Sequence, residues 1–129
     1  SFSLFLLNQF KSNGIDYIFC FGSKVLKKTL INSYKNKIIN FHPSLLPKYP
    51  GLNAIDQAIL NNEKELGNTA HFIDEGIDTG QIILQSRINS NEFVNYDTVL
   101  DLQIGMLRIL WKTIENDTNK LTKLYKSDG

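Results

Sequence analysis

Apolar residues crowd Phe2 to Phe10 with polar positions scattered among them, and Ser12-Asn13-Gly14 follows as a stop signal. The pattern predicts a helix ending near Lys11. Ile15 to Phe21 then carries aromatic and β-branched residues on both faces, as expected for a parallel-sheet strand covered on both sides. Gly22-Ser23 breaks that run. Lys24 to Tyr34 places Val25, Leu26 and Leu30 at helical spacing, and Lys37 to Phe41 reads as a second short strand. Strand, helix and strand in this order form a βαβ unit, whose right-handed crossover makes the two strands parallel.

After Phe41 the pattern loosens, and Pro43 and Pro47 force a non-helical loop. Asn53 to Asn61 returns to helical spacing with Ile55, Ala58, Ile59 and Leu60 inward, and Asn61-Asn62 followed by Gly67 marks a turn region. Asn68 to Ile73 is a strand with alternation at Ala70 and Phe72. A carboxylate-rich loop, Asp74-Glu75-Gly76-Ile77-Asp78-Thr79-Gly80, leads to Gln81–Ile88, a further strand that a short loop makes antiparallel to its predecessor. Asp97 to Ile114 closes the chain as a long amphipathic helix, and Lys120 to Gly129 reads as a frayed polar tail. No internal repeat or low-complexity segment interrupts the series, which is that of an α/β fold.

At 129 residues, 42% hydrophobic and 21% charged, the chain has enough apolar material for one core, so residues 1–129 are read as one domain. A formal net charge of +1 supplies no global field toward nucleic acid or membrane, so an anionic partner must be held locally. Cys20 is the only cysteine and sits in an apolar run, which fits a buried thiol and a reducing compartment. The longest apolar stretches fall far short of the ~20 residues of a membrane-spanning helix, and no signal-peptide pattern opens the chain. A cytoplasmic protein is expected. Asn116-Asp117-Thr118 matches the glycosylation sequon, a pattern that recurs by chance. Ser1 in place of Met points to a processed, tagged or truncated product.

Two residues stand where chemistry is expected. His42 follows the second strand, and open parallel sheets bind ligands beyond the carboxyl ends of their strands. Its unperturbed pKa of about 6.5 lets it give or take a proton near neutrality, and a carboxylate such as Asp78 can orient it or relay the proton. Asn40, two positions earlier on an extended chain, projects to the same side and can offer an amide N–H to a developing oxyanion. Taken singly, a histidine at a strand end is more often a hydrogen-bonded structural residue, and acidic loops are commonly solvated turns. No G-x-S-x-G elbow supports a covalent nucleophile, and no Walker or dinucleotide glycine loop is present. His42 and His71 form no H-x-x-x-H pair, so no metal site is predicted.

The run Asn40-Phe41-His42-Pro43-Ser44-Leu45-Leu46-Pro47-Lys48-Tyr49-Pro50-Gly51 strongly resembles the signature loop of the formyltetrahydrofolate-dependent formyltransferases. Gly67 through Ile83, with Asp74-Glu75-Gly76-Ile77-Asp78-Thr79-Gly80 at its centre, is similar to that family's folate-loop and aspartate motif. The resemblance runs from about Ile15 to Ile88. It implies a Rossmann-like formyltransferase fold: a mostly parallel sheet, helices on both faces, an antiparallel strand near the C-terminus, and N-terminal strands lacking.

The resemblance further implies that Asn40, His42 and Asp78 are catalytic, that 10-formyltetrahydrofolate is the formyl donor, and that no metal takes part. By the same resemblance the pterin lies against Lys24, Val25 and Leu26 and against Asp74, Glu75, Gly76 and Ile77. Gly51 through Ala58, with Thr69-Ala70-His71-Phe72, looks most like the glycinamide ribonucleotide formyltransferases of purine synthesis. Amino sugar nucleotides and methionyl-tRNA are the alternative acceptors, and a non-catalytic remnant that binds folate or a partner is the alternative to an enzyme. Two departures bear on the acceptor. Only thirty-nine residues precede Asn40, where family members carry further strands and a phosphate-cradling loop, so a dimer or a complementing N-terminal segment is expected. Gln103 through Trp111 also lacks the Glu-His pair usual in the purine enzymes.

Overall fold

The computed structural model describes residues 2–21, 26–91 and 93–125. Its elements are α1 (Phe2–Ser12), β1 (Ile18–Cys20), α2 (Lys28–Ser33), β2 (Ile38–His42), α3 (Ala54–Leu60), β3 (Glu65–Phe72), β4 (Ile82–Asn89) and α4 (Tyr96–Asn116), followed by a 3-10 helix at Thr118–Lys123. The described strands form one sheet in the order β1-β2-β3-β4. β1 and β2 are parallel across α2, with Ile18 beside Ile38 and Cys20 beside Asn40, as the βαβ pattern predicts. β3 runs antiparallel to both β2 and β4, so β1, β2 and β4 point one way and β3 the other.

Alternation along β2 divides the molecule into layers. Ile38 packs with Leu7, Leu30 and Tyr34 on the α1–α2 side. Ile39 and Phe41 face the other way, into the main core with Ala70, Phe72, Ile83, Met106 and Leu110 beneath α4. Ile55, Ala58, Leu66 and Val99 join α3 to α4. The inward face of α4 is Val99, Gln103, Met106 and Leu110, a helical spacing of four, three and four residues. A capping box between Asn95 and Thr98 starts this helix by satisfying amides that the first turn leaves unpaired.

Several expectations need correction. β1 is a half-buried edge strand of three residues instead of a covered strand from Ile15 to Phe21, and both of those end residues are exposed. Among the described residues only β2 pairs with it. The helix after it begins at Lys28, because Lys27 is extended and its N–H donates to Ser3 Oγ at 3.0 Å; Leu26 therefore precedes the helix. Ile59 and Leu60 are exposed, since the face that α3 buries is Ala54, Ile55 and Ala58. Gly67 lies inside β3 and not in a turn, at a point where a Cβ would overlap the Ser86 carbonyl of β4. The start of the C-terminal tail is anchored: Leu121 is buried in the main core, while residues 126–129 lie outside the described residues. Among the described residues, no helix is long and apolar enough to cross a membrane.

Candidate functional site

β2 sets the site. All five of its residues are buried, and Asn40 and His42 emerge on the face opposite Ile39 and Phe41. The β2–β3 register places His71 beside Asn40 and Thr69 beside His42. Asn40 Nδ2 lies 3.5 Å from His71 Nε2, so the strand pairing delivers a second imidazole to the same place.

Asp78 arrives from the β3–β4 loop with φ 55°, a left-handed conformation that Asp adopts more readily than most residues. Its Oδ2 lies 3.4 Å from His42 Nδ1 and its Oδ1 3.4 Å from His71 Nε2. The Gly51 N–H donates to Oδ2 at 2.8 Å; Gly51 has φ 82°, which glycine adopts without steric cost. The three side chains are 6%, 3% and 12% exposed for His42, His71 and Asp78. A carboxylate this buried must be paired, and here it is held by a backbone amide and two imidazoles.

The protons can be located from the outer contacts. His42 Nε2 lies 2.7 Å from the Tyr49 carbonyl oxygen and His71 Nδ1 lies 2.9 Å from that of Phe72. A carbonyl only accepts, so both of these nitrogens carry hydrogen. Neutral imidazoles would then turn two lone pairs, at His42 Nδ1 and His71 Nε2, toward the Asp78 carboxylate. A proton on either nitrogen would turn it into a donor to the carboxylate, and His71 Nε2 also lies within reach of the Asn40 amide. The cluster therefore sets two imidazoles and a carboxylate where a proton can be exchanged among them.

The loops around the cluster are braced by side chains. Ser44 Oγ donates to the Lys48 carbonyl at 2.6 Å. Thr69 Oγ1 donates to the Ser44 carbonyl at 2.7 Å and accepts from the Leu46 N–H at 3.0 Å, and Gln85 Nε2 donates to the Leu46 carbonyl at 3.0 Å. Across the cleft, Asp74 Oδ1 accepts from the Gly76 N–H at 2.9 Å and from Thr79 Oγ1 at 2.7 Å, which closes the acidic loop on itself. Lys28 pairs with Glu75 at 3.6 Å, an exposed contact of little energetic weight.

A cleft of about 790 Å³ opens beyond the carboxyl end of β2, lined by Asn40, His42, His71 and Asp78. Leu26, Ile31, Ile73 and Ile77 make it apolar on one side, and Tyr96, Leu100 and Gln103 border it as well. The structure thus brings Asn40, His42 and Asp78 together, and Leu26, Asp74, Glu75, Gly76 and Ile77 border the same cleft. Lys24 and Val25 lie outside the described residues. His71, which from sequence is weighed as a metal ligand but is not placed in the catalytic set, joins Asn40, His42 and Asp78 here. Only the antiparallel register of β3 against β2 pairs it with Asn40, and no local motif carries that information. Among the described residues, no group of three or more His, Cys, Asp and Glu side chains is arranged to hold a metal ion.

This architecture recurs in known proteins. A phosphoribosylglycinamide formyltransferase of Bacillus subtilis is 38% identical over 112 residues, 86% of this chain and 57% of the relative. A methionyl-tRNA formyltransferase of Thermodesulfovibrio yellowstonii is 41% identical over 93 residues, 71% of this chain and 30% of the relative. The crystal structure of a phosphoribosylglycinamide formyltransferase from Bacillus halodurans matches with a TM-score of 0.69 at 39% identity, covering 81% of this chain and 54% of that one. The chain therefore spans little more than half the length of these two phosphoribosylglycinamide formyltransferases. The family model described as formyl transferase matches residues 6–102, a span that takes in β1 through the start of α4 and with them the whole Asn40, His42, His71 and Asp78 cluster; the chain belongs to the formyl transferase family.

Proposed function

We propose that this protein transfers a formyl group from 10-formyltetrahydrofolate to a primary amine, with glycinamide ribonucleotide as the acceptor. The observation that carries the reading is the convergence of the Asn40 amide, two imidazoles and the Asp78 carboxylate at a cleft with an apolar wall. That wall, from Leu26, Ile31, Ile73 and Ile77, suits a flat heteroaromatic ring, and backbone at Leu26 and at 74–77 can pair with its polar edge. The acceptor nitrogen attacks the formyl carbon. As the carbonyl oxygen gains charge, an Asn40 N–H donates to it and a protonated His42 or His71 adds its positive field. The proton shed by the amine passes to the Asp78 cluster and from there to the folate nitrogen N10, so the products are a formamide and tetrahydrofolate with no net change in protons.

The purine relative, aligned over most of this chain, supports glycinamide ribonucleotide over methionyl-tRNA or an amino sugar nucleotide. We read residues 1–129 as the C-terminal part of the family's catalytic domain, in keeping with the share of the relatives that it spans. Calorimetric titration with a 10-formylfolate analogue, followed by formyl transfer assays with each of the three acceptors, tests the reading. Binding and transfer to glycinamide ribonucleotide are expected. Binding without transfer to any amine would reduce the role to folate recognition, and no binding by a folded chain would remove the donor assignment too.

A further inference from the structure

Glu63 lies between α3 and β3, behind the loop that follows β2, and does not border the cleft lined by His42. It is nevertheless connected to His42 through one dipeptide. On the inner side of that dipeptide, the Tyr49 carbonyl accepts from His42 Nε2 at 2.7 Å and from Ser44 Oγ at 3.3 Å, while the Lys48 carbonyl accepts from Ser44 Oγ at 2.6 Å. On the outer side, Tyr49 Oη donates to Glu63 Oε1 at 2.9 Å, and Lys48 Nζ reaches the two carboxylate oxygens at 3.3 and 3.2 Å. Tyr49 has φ 55°, a conformation that a bulky residue holds only when its surroundings impose it. That backbone turn accompanies a carbonyl pointed at His42 and a ring pointed at Glu63.

We propose that Glu63 is a positioning residue: by anchoring Tyr49 and Lys48 it keeps the Tyr49 carbonyl on His42 Nε2, which fixes the imidazole tautomer and leaves Nδ1 facing Asp78. The tautomer of a working histidine is set by the hydrogen bond that its other nitrogen makes, and here that partner is a carbonyl on a strained residue. The Tyr49 hydroxyl and then Lys48 hold the Glu63 carboxyl below its usual range, while burial and then Glu63 itself hold the Tyr49 hydroxyl above its own. The donor and acceptor roles of this pair are therefore stable around neutrality. The Lys48 side chain is 64% exposed, so the ion pair is screened and the Tyr49 hydroxyl is the contact that matters. The kinetic consequence rests on the formyl-transfer reading; the tautomer does not.

The test compares Tyr49→Phe, Glu63→Leu and Glu63→Gln with the unaltered protein. Long-range proton–nitrogen NMR of the two imidazoles, assigned with His71→Gln, reads the His42 tautomer at a pH above the titration of both histidines. An Nε2–H form is expected in the unaltered protein and in Glu63→Gln, which keeps an acceptor oxygen, and a mixture of tautomers in Tyr49→Phe and Glu63→Leu. Formyl-transfer kcat should fall on the order of tenfold in those two variants with the donor KM unchanged, as when other groups that orient a working imidazole are removed. Retention of the pure Nε2–H form in Tyr49→Phe overturns the proposal, and because that variant deletes a single hydroxyl it decides the matter even if Glu63→Leu does not fold. A shifted tautomer in a series with no formyl transfer, the unaltered protein included, upholds the role of Glu63 and overturns the formyl-transfer reading instead.

Discussion

β3 and β4 are eight residues each, paired from Glu65–Asn89 to His71–Ile82, with every β3 residue after the first buried; β1 supplies three half-buried residues and, among the described residues, pairs with β2 alone. The helix on the β1 side adds little cover, since Phe2, Leu4 and Phe5 are exposed. On the β3 side even polar residues are buried, because each has its partner: Asn68 donates to the Val99 carbonyl at 2.7 Å and accepts from Gln103 at 2.9 Å. Register matters most there, where a one-residue slip would turn Asn68 and Ala70 to the wrong face. The candidate site stands on β2 and β3, at the well-specified end of this gradient. The tetrahedral intermediate of the proposed reaction would need its donors placed to a fraction of an ångström, and the buried, paired strands β2 and β3 suit that need.

The contrast can be broken most sharply at Ile83, which is fully buried in the main core. Ile83→Ala should cost about 2–5 kcal/mol in urea unfolding; a loss no larger than that at the β1 side would erase the distinction. Asn40→Ala and Asp78→Asn come next, each lowering formyl-transfer kcat about a hundredfold or more, roughly 3 kcal/mol of transition-state stabilisation. Near-normal turnover in either variant, measured with saturating donor, would remove that residue from the mechanism. Leu7→Ala on the edge side should cost only ~1–2 kcal/mol, because Leu7 sits in a smaller cluster whose outer members, among them Leu6, Phe10 and Ile18, are only partly buried and can relax. The smallest effect concerns Glu63. Its carboxyl has an ordinary value of 4.5 and is held lower in the fold, so the stability it contributes is complete above 4.5 and is lost as pH falls through the lower folded value. Glu63→Gln should therefore be the less stable protein at pH 7, with the gap closing on acidification; a gap that persists in acid would show that charge is not its origin.

Much of the fold could be read from periodicity. The βαβ unit, α4 and the antiparallel β3–β4 hairpin follow from spacings that report one buried face or two. The errors fall where a tertiary contact overrides local pattern: Ile59 and Leu60 have helical spacing but no neighbour to pack against, Gly67 looks like a turn and is a close approach between strands, and Leu121 sits in a polar segment yet fills the core. Asn40 and His42 were legible because alternation on an extended chain puts them on one side. Asp78 was legible as a carboxylate on a loop at a strand end, and the long motif around it gave that position its weight.

The sequence by itself determined the order of elements, the loop after β2 and the residue types available for proton transfer, since these depend on neighbours within a few positions. Only the tertiary structure decided that His71 joins the cluster, that the Tyr49 carbonyl faces His42 and that Glu63 stands behind it. Those contacts join residues 7 to 31 positions apart, and such distances in sequence close only when strand register and a left-handed turn bring the groups together.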